Sequence, residues 1–176
     1  MKTLYLLRHA KSSWKDESLT DFQRPLAPRG KRAAPAMGAF MAREGHVPDR
    51  ILCSAARRAL DTWDLVEEEM EEALGRELTA EIREDLYHAS PESLLAILRD
   101  LPDSLTSVLM VGHNPTMEDL ASALAGGGDE EALATMHRKY PTGALAILHL
   151  PVDRWGEIRQ GRAHLHAFVR PRDLGD

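Results

Sequence analysis

The stretch Thr3-Leu4-Tyr5-Leu6-Leu7-Arg8-His9-Ala10-Lys11 decides the fold. A short run of strand-forming residues stops abruptly at an arginine and a histidine. In an open α/β sheet, ligands bind in the crevice outside the carboxyl ends of the strands. An Arg-His pair delivered there suits an anion. The guanidinium presents a planar fork of donors to phosphate or carboxylate, and the imidazole is a nucleophile, base or acid near neutral pH.

Outward from this strand, apolar periods alternate between those of helices and strands. Ala33, Ala36, Met37, Phe40 and Met41 recur at the spacing of an amphipathic helix starting near Pro28 and capped at Gly45. Arg50 to Cys53 reads as a second buried strand, with Ser54 as N-cap of a long helix ending at Gly75. That helix has an apolar face through Trp63, Val66 and Met70, and its acidic run Glu67–Glu72 reads as a solvated face. Leu78 to Ile82 is a further short strand. Ser90-Pro91-Glu92 carries the signals of a helix start. Ser107 to Val111 is the clearest buried strand; it exits into Gly112-His113-Asn114-Pro115, where Asn114 and Pro115 read as N-cap and first helical residue. Gly126-Gly127-Gly128 reads as the terminator of that helix, and a shorter helix follows from Asp129. Two closing strands, Ala144–Leu150 and Ala163–Val169, are joined by a link without helical period, so an antiparallel pair is expected. The sum is an α/β three-layer sandwich with a mostly parallel central sheet and an antiparallel edge strand.

The chain has 176 residues, 43% hydrophobic and 28% charged, a length and composition suited to one globular domain over residues 1–176. A formal net charge of −6 argues against a nucleic-acid or membrane-surface binder. The one cysteine, Cys53, excludes an internal disulfide and reads as a buried structural thiol. No secretory signal or run of about 18 apolar residues is visible, and a cytoplasmic monomer is expected.

Chemistry gathers at three strand exits: Arg8-His9, Ser54-Ala55-Ala56-Arg57-Arg58 and Gly112-His113. Arginine in the first turn of a helix opposes the dipole, and an anion bound there would explain it. Parallel strands bring their exits to one edge, where two histidines and an arginine from distant sequence converge. His164 and His166 alternate along the last strand without a partner at metal-ligand spacing.

Four separated motifs resemble the histidine phosphatase superfamily, with the phosphoglycerate-mutase-like fold. These are Leu7-Arg8-His9-Ala10, Arg24-Pro25-Leu26 with Gly30, Ser54 to Thr62 as Ser-x-x-x-Arg-Ala-x-x-Thr, and Val111 to Pro115. Ala10 stands where the signature usually has glycine. The short chain is most similar to the SixA branch, the phosphohistidine phosphatases. The resemblance implies that His9 is the nucleophile that becomes phosphorylated and that Arg8, Arg58 and His113 form the phosphate pocket. It implies a substrate-side contact at Arg24 and neither metal nor other cofactor. The general acid is expected in the loop Arg83-Glu84-Asp85, at Asp85 or else Glu84. A weak acid site favours phosphohistidine on a protein such as a phosphotransfer domain, whereas a working acid favours small phosphate esters. A phosphomonoesterase, a mutase and a non-catalytic module that recognises phosphate stay open as alternatives.

Overall fold

Buried β-branched and leucine-rich runs pair into one sheet in the computed structural model, which describes residues 1–175. The strands are β1 (Lys2–Arg8), β2 (Arg50–Ser54), β3 (Ala80–Arg83), β4 (Ser107–Gly112), β5 (Ala125–Gly128), β6 (Leu145–Leu150) and β7 (Ala163–Val169), in the order β3-β2-β4-β1-β6-β7-β5. β1 pairs in parallel with β4, placing Arg8 opposite Gly112, and β4 with β2. The exits of β1, β2 and β4 therefore share one edge.

Successive side chains of β1 point to opposite faces, so this one strand feeds two cores. Leu4 and Leu6 join the core under α3 (Pro91–Arg99), α4 (Thr116–Leu124) and α5 (Glu130–Arg138). Tyr5 and Leu7 join the core under α1 (Pro28–Arg43) and α2 (Arg57–Leu74). The expected three-layer, mostly parallel α/β sandwich is the architecture found. Its antiparallel member, β6, pairs with β1 on one side and β7 on the other, inside the sheet. The strand beyond β7 is β5, formed by the glycine run that reads in sequence as a helix terminator; it pairs in parallel with β7.

Other boundaries also move. The buried face of α1 is Gly30, Ala34, Met37, Gly38 and Met41, displaced from the expected stripe so that Ala33, Ala36 and Phe40 lie at its margin. Small residues take the centre because neighbouring backbone comes close: a Cβ on Gly30 would stand 2.2 Å from the Lys11 carbonyl oxygen. Ser54 stays in β2, and Ala56 occupies the N-cap position of α2; the Ser54 hydroxyl accepts the Ala56 N–H at 3.2 Å. Pro115 sits at the N-cap position of α4, while the upstream Asn114 side chain accepts the Glu118 N–H at 3.2 Å. Ser90 caps α3 as expected, accepting the Ser93 N–H at 3.1 Å. No helix among the described residues is long and apolar enough to cross a membrane.

A Cβ on Gly38 would lie 2.6 Å from the Val66 carbonyl oxygen of α2, backbone that cannot rotate away. Overpacking of this kind costs about 1–3 kcal/mol, more than the roughly 1 kcal/mol that alanine gains in helix propensity. Gly38→Ala is expected to lower the denaturation midpoint; an unchanged or raised midpoint would show that α1 and α2 separate freely.

Candidate active site

β1 delivers His9 into a nearly closed position, 7% exposed. Its Nδ1 lies 2.7 Å from the Ala10 carbonyl oxygen. A carbonyl only accepts, so Nδ1 carries the proton and Nε2 keeps its lone pair. The Arg58 Nε–H points at Nε2 across 3.4 Å. The Ala10 N–H donates to Thr62 Oγ1 at 2.9 Å, and the Thr62 hydroxyl donates to the Arg58 carbonyl at 2.7 Å. Thr62 thus clamps the β1 exit to the first turn of α2. No non-glycine residue among those described has positive φ, so alanine at position 10 carries no backbone strain.

Arg58 lies in the first turn of α2, which has no carboxylate, and Asp21 from the loop before α1 supplies one. Arg58 donates through Nη1 to the Asp21 carbonyl at 2.7 Å and through Nη2 to Asp21 Oδ2 at 3.0 Å. Arg8 donates through Nη1 to the Tyr140 carbonyl at 2.8 Å. His113 stands beside His9, ring centroids 5.2 Å apart, with Nε2 2.8 Å from Ser54 Oγ. Two buried polar atoms of this cluster, Arg8 Nε and His113 Nδ1, have no hydrogen-bond partner. Buried polar groups are nearly always satisfied, so this arrangement is suited to receiving an anion.

Burial, the His113 ring and the Arg58 and Arg8 guanidiniums push His9 down to about 3, against the opposing pull of the Ala10 carbonyl. Burial and Arg58 likewise push His113 down to about 4, with Asp21 opposing. Both rings are neutral at pH 7. Asp21 is the reverse case: the Tyr87 hydroxyl first, then Arg24 and Arg58, hold its carboxylate far below the usual range.

The structure thus brings His9, Arg58 and His113 together, with Arg8 at the same strand exit. Arg24 is buried but committed to its own loop. It donates to the Ser13 carbonyl at 3.1 Å, the Ser12 hydroxyl at 2.5 Å and Asp21 at 2.8 Å, and its guanidinium lies 3.3 Å from the Trp14 ring centroid. It meets the cluster through Asp21. Asp85 is exposed, and both its oxygens receive Arg83, at 2.9 and 2.7 Å; Glu84 is exposed beside it. The side chain which that loop sends to the cluster is Tyr87, edge-on to His113 and bonded to Asp21. Sequence reasoning missed Asp21, Tyr87 and Tyr140 as parts of the site. Asp21 had one local signal, its position three residues before Arg24. Cys53 is fully buried, as expected. Among the described residues no group of three or more His, Cys, Asp or Glu side chains is arranged to hold a metal, and His164 and His166 are exposed.

Residues 4–90 match the family model of the histidine phosphatase superfamily, branch 1. An uncharacterized protein of Mycobacterium tuberculosis, Rv1276c, is 34% identical over 168 residues, covering 94% of this chain and 100% of the relative. Among solved structures, a proposed phosphohistidine phosphatase SixA of Agrobacterium tumefaciens superposes with a TM-score of 0.77 at 29% identity, covering 97% of this chain and 99% of the other. Another, from Nakamurella multipartitia, gives 0.74 at 28% identity, covering 97% and 96%.

The depressed histidines have a consequence for stability. An unfolded histidine titrates near 6.5, whereas folded His9 and His113 titrate at about 3 and about 4. As pH falls from 6.5 the unfolded chain gains protons that these folded rings refuse, so stability falls, and it rises again with pH across that window. Denaturation midpoints at pH 7.5, 6 and 5 are expected to drop more steeply for the parent than for His9→Gln/His113→Gln. Parallel curves would show that neither ring is held neutral.

Proposed function

The chain belongs to the histidine phosphatase superfamily, and from that premise we propose that it is a metal-independent phosphatase whose His9 carries the phosphoryl group in transit from a phosphohistidine on a protein. A phosphotransfer domain of a signalling relay is the substrate that fits. His9 Nε2 attacks phosphorus, forming a P–N bond as the substrate's own P–N bond breaks. The leaving imidazole departs once its ring is protonated. Water then forms a P–O bond and releases His9 with inorganic phosphate. Transferring phosphoryl groups spread negative charge over their equatorial oxygens, so catalysis is mostly positioning and electrostatic stabilisation. In this reading Arg8, Arg58 and His113 meet those oxygens. A dianion among them favours a proton on His113 that burial and Arg58 otherwise repel. The positive charge of the pocket comes from side chains.

The observation that carries the substrate class is the state of the nearest carboxylate. Asp21 is held ionised by Tyr87, Arg24 and Arg58, which makes it a poor proton donor, and Asp85 is engaged by Arg83. An alkoxide leaving group needs such a donor; an imidazole that brings its own proton does not. Arg24 acts here as a positioning residue, orienting Asp21 and through it Arg58.

Incubation with a phosphohistidine-carrying phosphotransfer domain is expected to release phosphate. His9→Ala should abolish release, Arg58→Ala should slow it by about 10²–10³-fold, and Asp85→Asn should change it less than about twofold. His9-dependent turnover of small phosphate esters without release from the protein would keep the chemistry and overturn the substrate. A collapse in Asp85→Asn would restore an acid role there.

A further inference from the structure

A second concave site lies on the same edge of the sheet, on the α1 side of the β1 exit, and none of the chemistry above uses it. It encloses about 190 Å³ and is lined by ten residues, of which five are cations: Lys11, Arg29, Arg32, Arg170 and Arg172. Three separate segments supply them, and the backbone explains why they meet. Gly30 lets the first turn of α1 close onto Lys11, whose carbonyl accepts the Ala27 N–H at 2.9 Å. The turn Pro171–Leu174 after β7 docks beside Gly143, where an added Cβ would stand 2.9 Å from the Pro171 ring.

Of these five cations only Arg170 makes a salt bridge among the described residues, to Asp173 at 2.8 Å, and Asp173 also neighbours Arg172. Among the described residues Lys11, Arg29, Arg32 and Arg172 make neither a salt bridge nor a side-chain hydrogen bond. Exposed charges in water repel only weakly, and Arg172 lies close enough to Asp173 to feel its charge. What sets the hollow apart is that Lys11, Arg29 and Arg32 line it together with Arg170 and Arg172 in a chain of net charge −6. The start of α1 adds to the field. Its first turn has no acidic residue and no side-chain cap, so the helix dipole points positive charge toward the segment that bears Arg29 and Arg32. The floor between the cations is apolar, from Ala33, Ala36, Pro141 and Pro171.

We infer that this hollow is a binding site for a small polyanion carrying two or more linked phosphate groups, separate from the pocket of His9. Concavity and small volume favour a small molecule over an acidic protein face. The phosphates come either from an inorganic oligophosphate or from the tail of a nucleotide, whose organic part would lie on the Ala-Pro floor. The inference does not rest on the proposed phosphatase reaction.

Calorimetric titration of the full chain with inorganic triphosphate, ATP and AMP tests it. Arg58→Ala serves to weaken anion binding beside His9. Triphosphate is expected to bind Arg58→Ala, more weakly as salt rises, and at least about tenfold more weakly when Arg32→Glu/Arg172→Glu is added. ATP equal to triphosphate would assign the site to phosphates alone, and ATP clearly tighter would assign it to a nucleotide; AMP should bind far more weakly than either. A melting temperature measured on each variant separates lost binding from lost folding, and Arg32→Gln replaces the double reversal if that variant does not fold. Triphosphate binding that disappears with Arg58→Ala alone would overturn the site. So would unchanged triphosphate affinity in Arg32→Glu/Arg172→Glu together with a raised KM for a phosphoprotein, which would make the hollow a protein-docking face.

Discussion

A neutral imidazole surrounded by guanidinium groups is the constraint on which the rest of this structure depends. Left to solvent, His9 would be half protonated near pH 6.5 and would have no fixed tautomer. Burial removes the proton, Arg58 and Arg8 discourage its return, and the Ala10 carbonyl decides which nitrogen keeps the remaining hydrogen. Each condition is set by a different part of the fold. β1 lies between two buried strands, which supplies the burial. The Thr62 bridge fixes the height of α2 against the β1 exit, which supplies the guanidinium.

The cations of the site are themselves restrained by one carboxylate. Asp21 receives Arg24, Arg58 and Tyr87 at once, joining the loop before α1, the first turn of α2 and the loop after β3. Arg58 therefore reaches His9 with two of its nitrogens already fixed, and less of its side-chain freedom is left to lose when an anion arrives. Trp14 extends the same restraint outward by stacking on Arg24, which accounts for a tryptophan left 70% exposed.

What the sequence made legible follows from what is local. Strand runs, helix periods and caps such as Ser90 depend on neighbours a few residues away, and the strand exits gather wherever parallel strands are aligned. His9, Arg58 and His113 were recoverable for that reason. The errors mark where distant backbone decides. The face of α1 slipped because glycines at positions 30 and 38 register as weak in any apolar pattern, although they sit where neighbouring backbone presses on the helix. The glycines 126–128 became a strand because β7 offered an unpaired edge. Asp21 was overlooked although it and Asp85 each have an arginine close in sequence, Arg24 and Arg83. Only the fold brings Arg58 and Tyr87 to Asp21, whereas Asp85 keeps its local partner Arg83.

The position of β1 also has a consequence for how the protein is made. Leu6 pairs with Met110 on one side and with Ala146 on the other, and Arg8 is held by the carbonyl of Tyr140. A ribosome delivers β1 first and its partners late, and pairings so distant in sequence are slow to close. The nascent chain carries a leucine-rich strand in search of an edge until β4 and β6 have emerged. The order of synthesis therefore sets how long that strand stays open to pairing with another molecule.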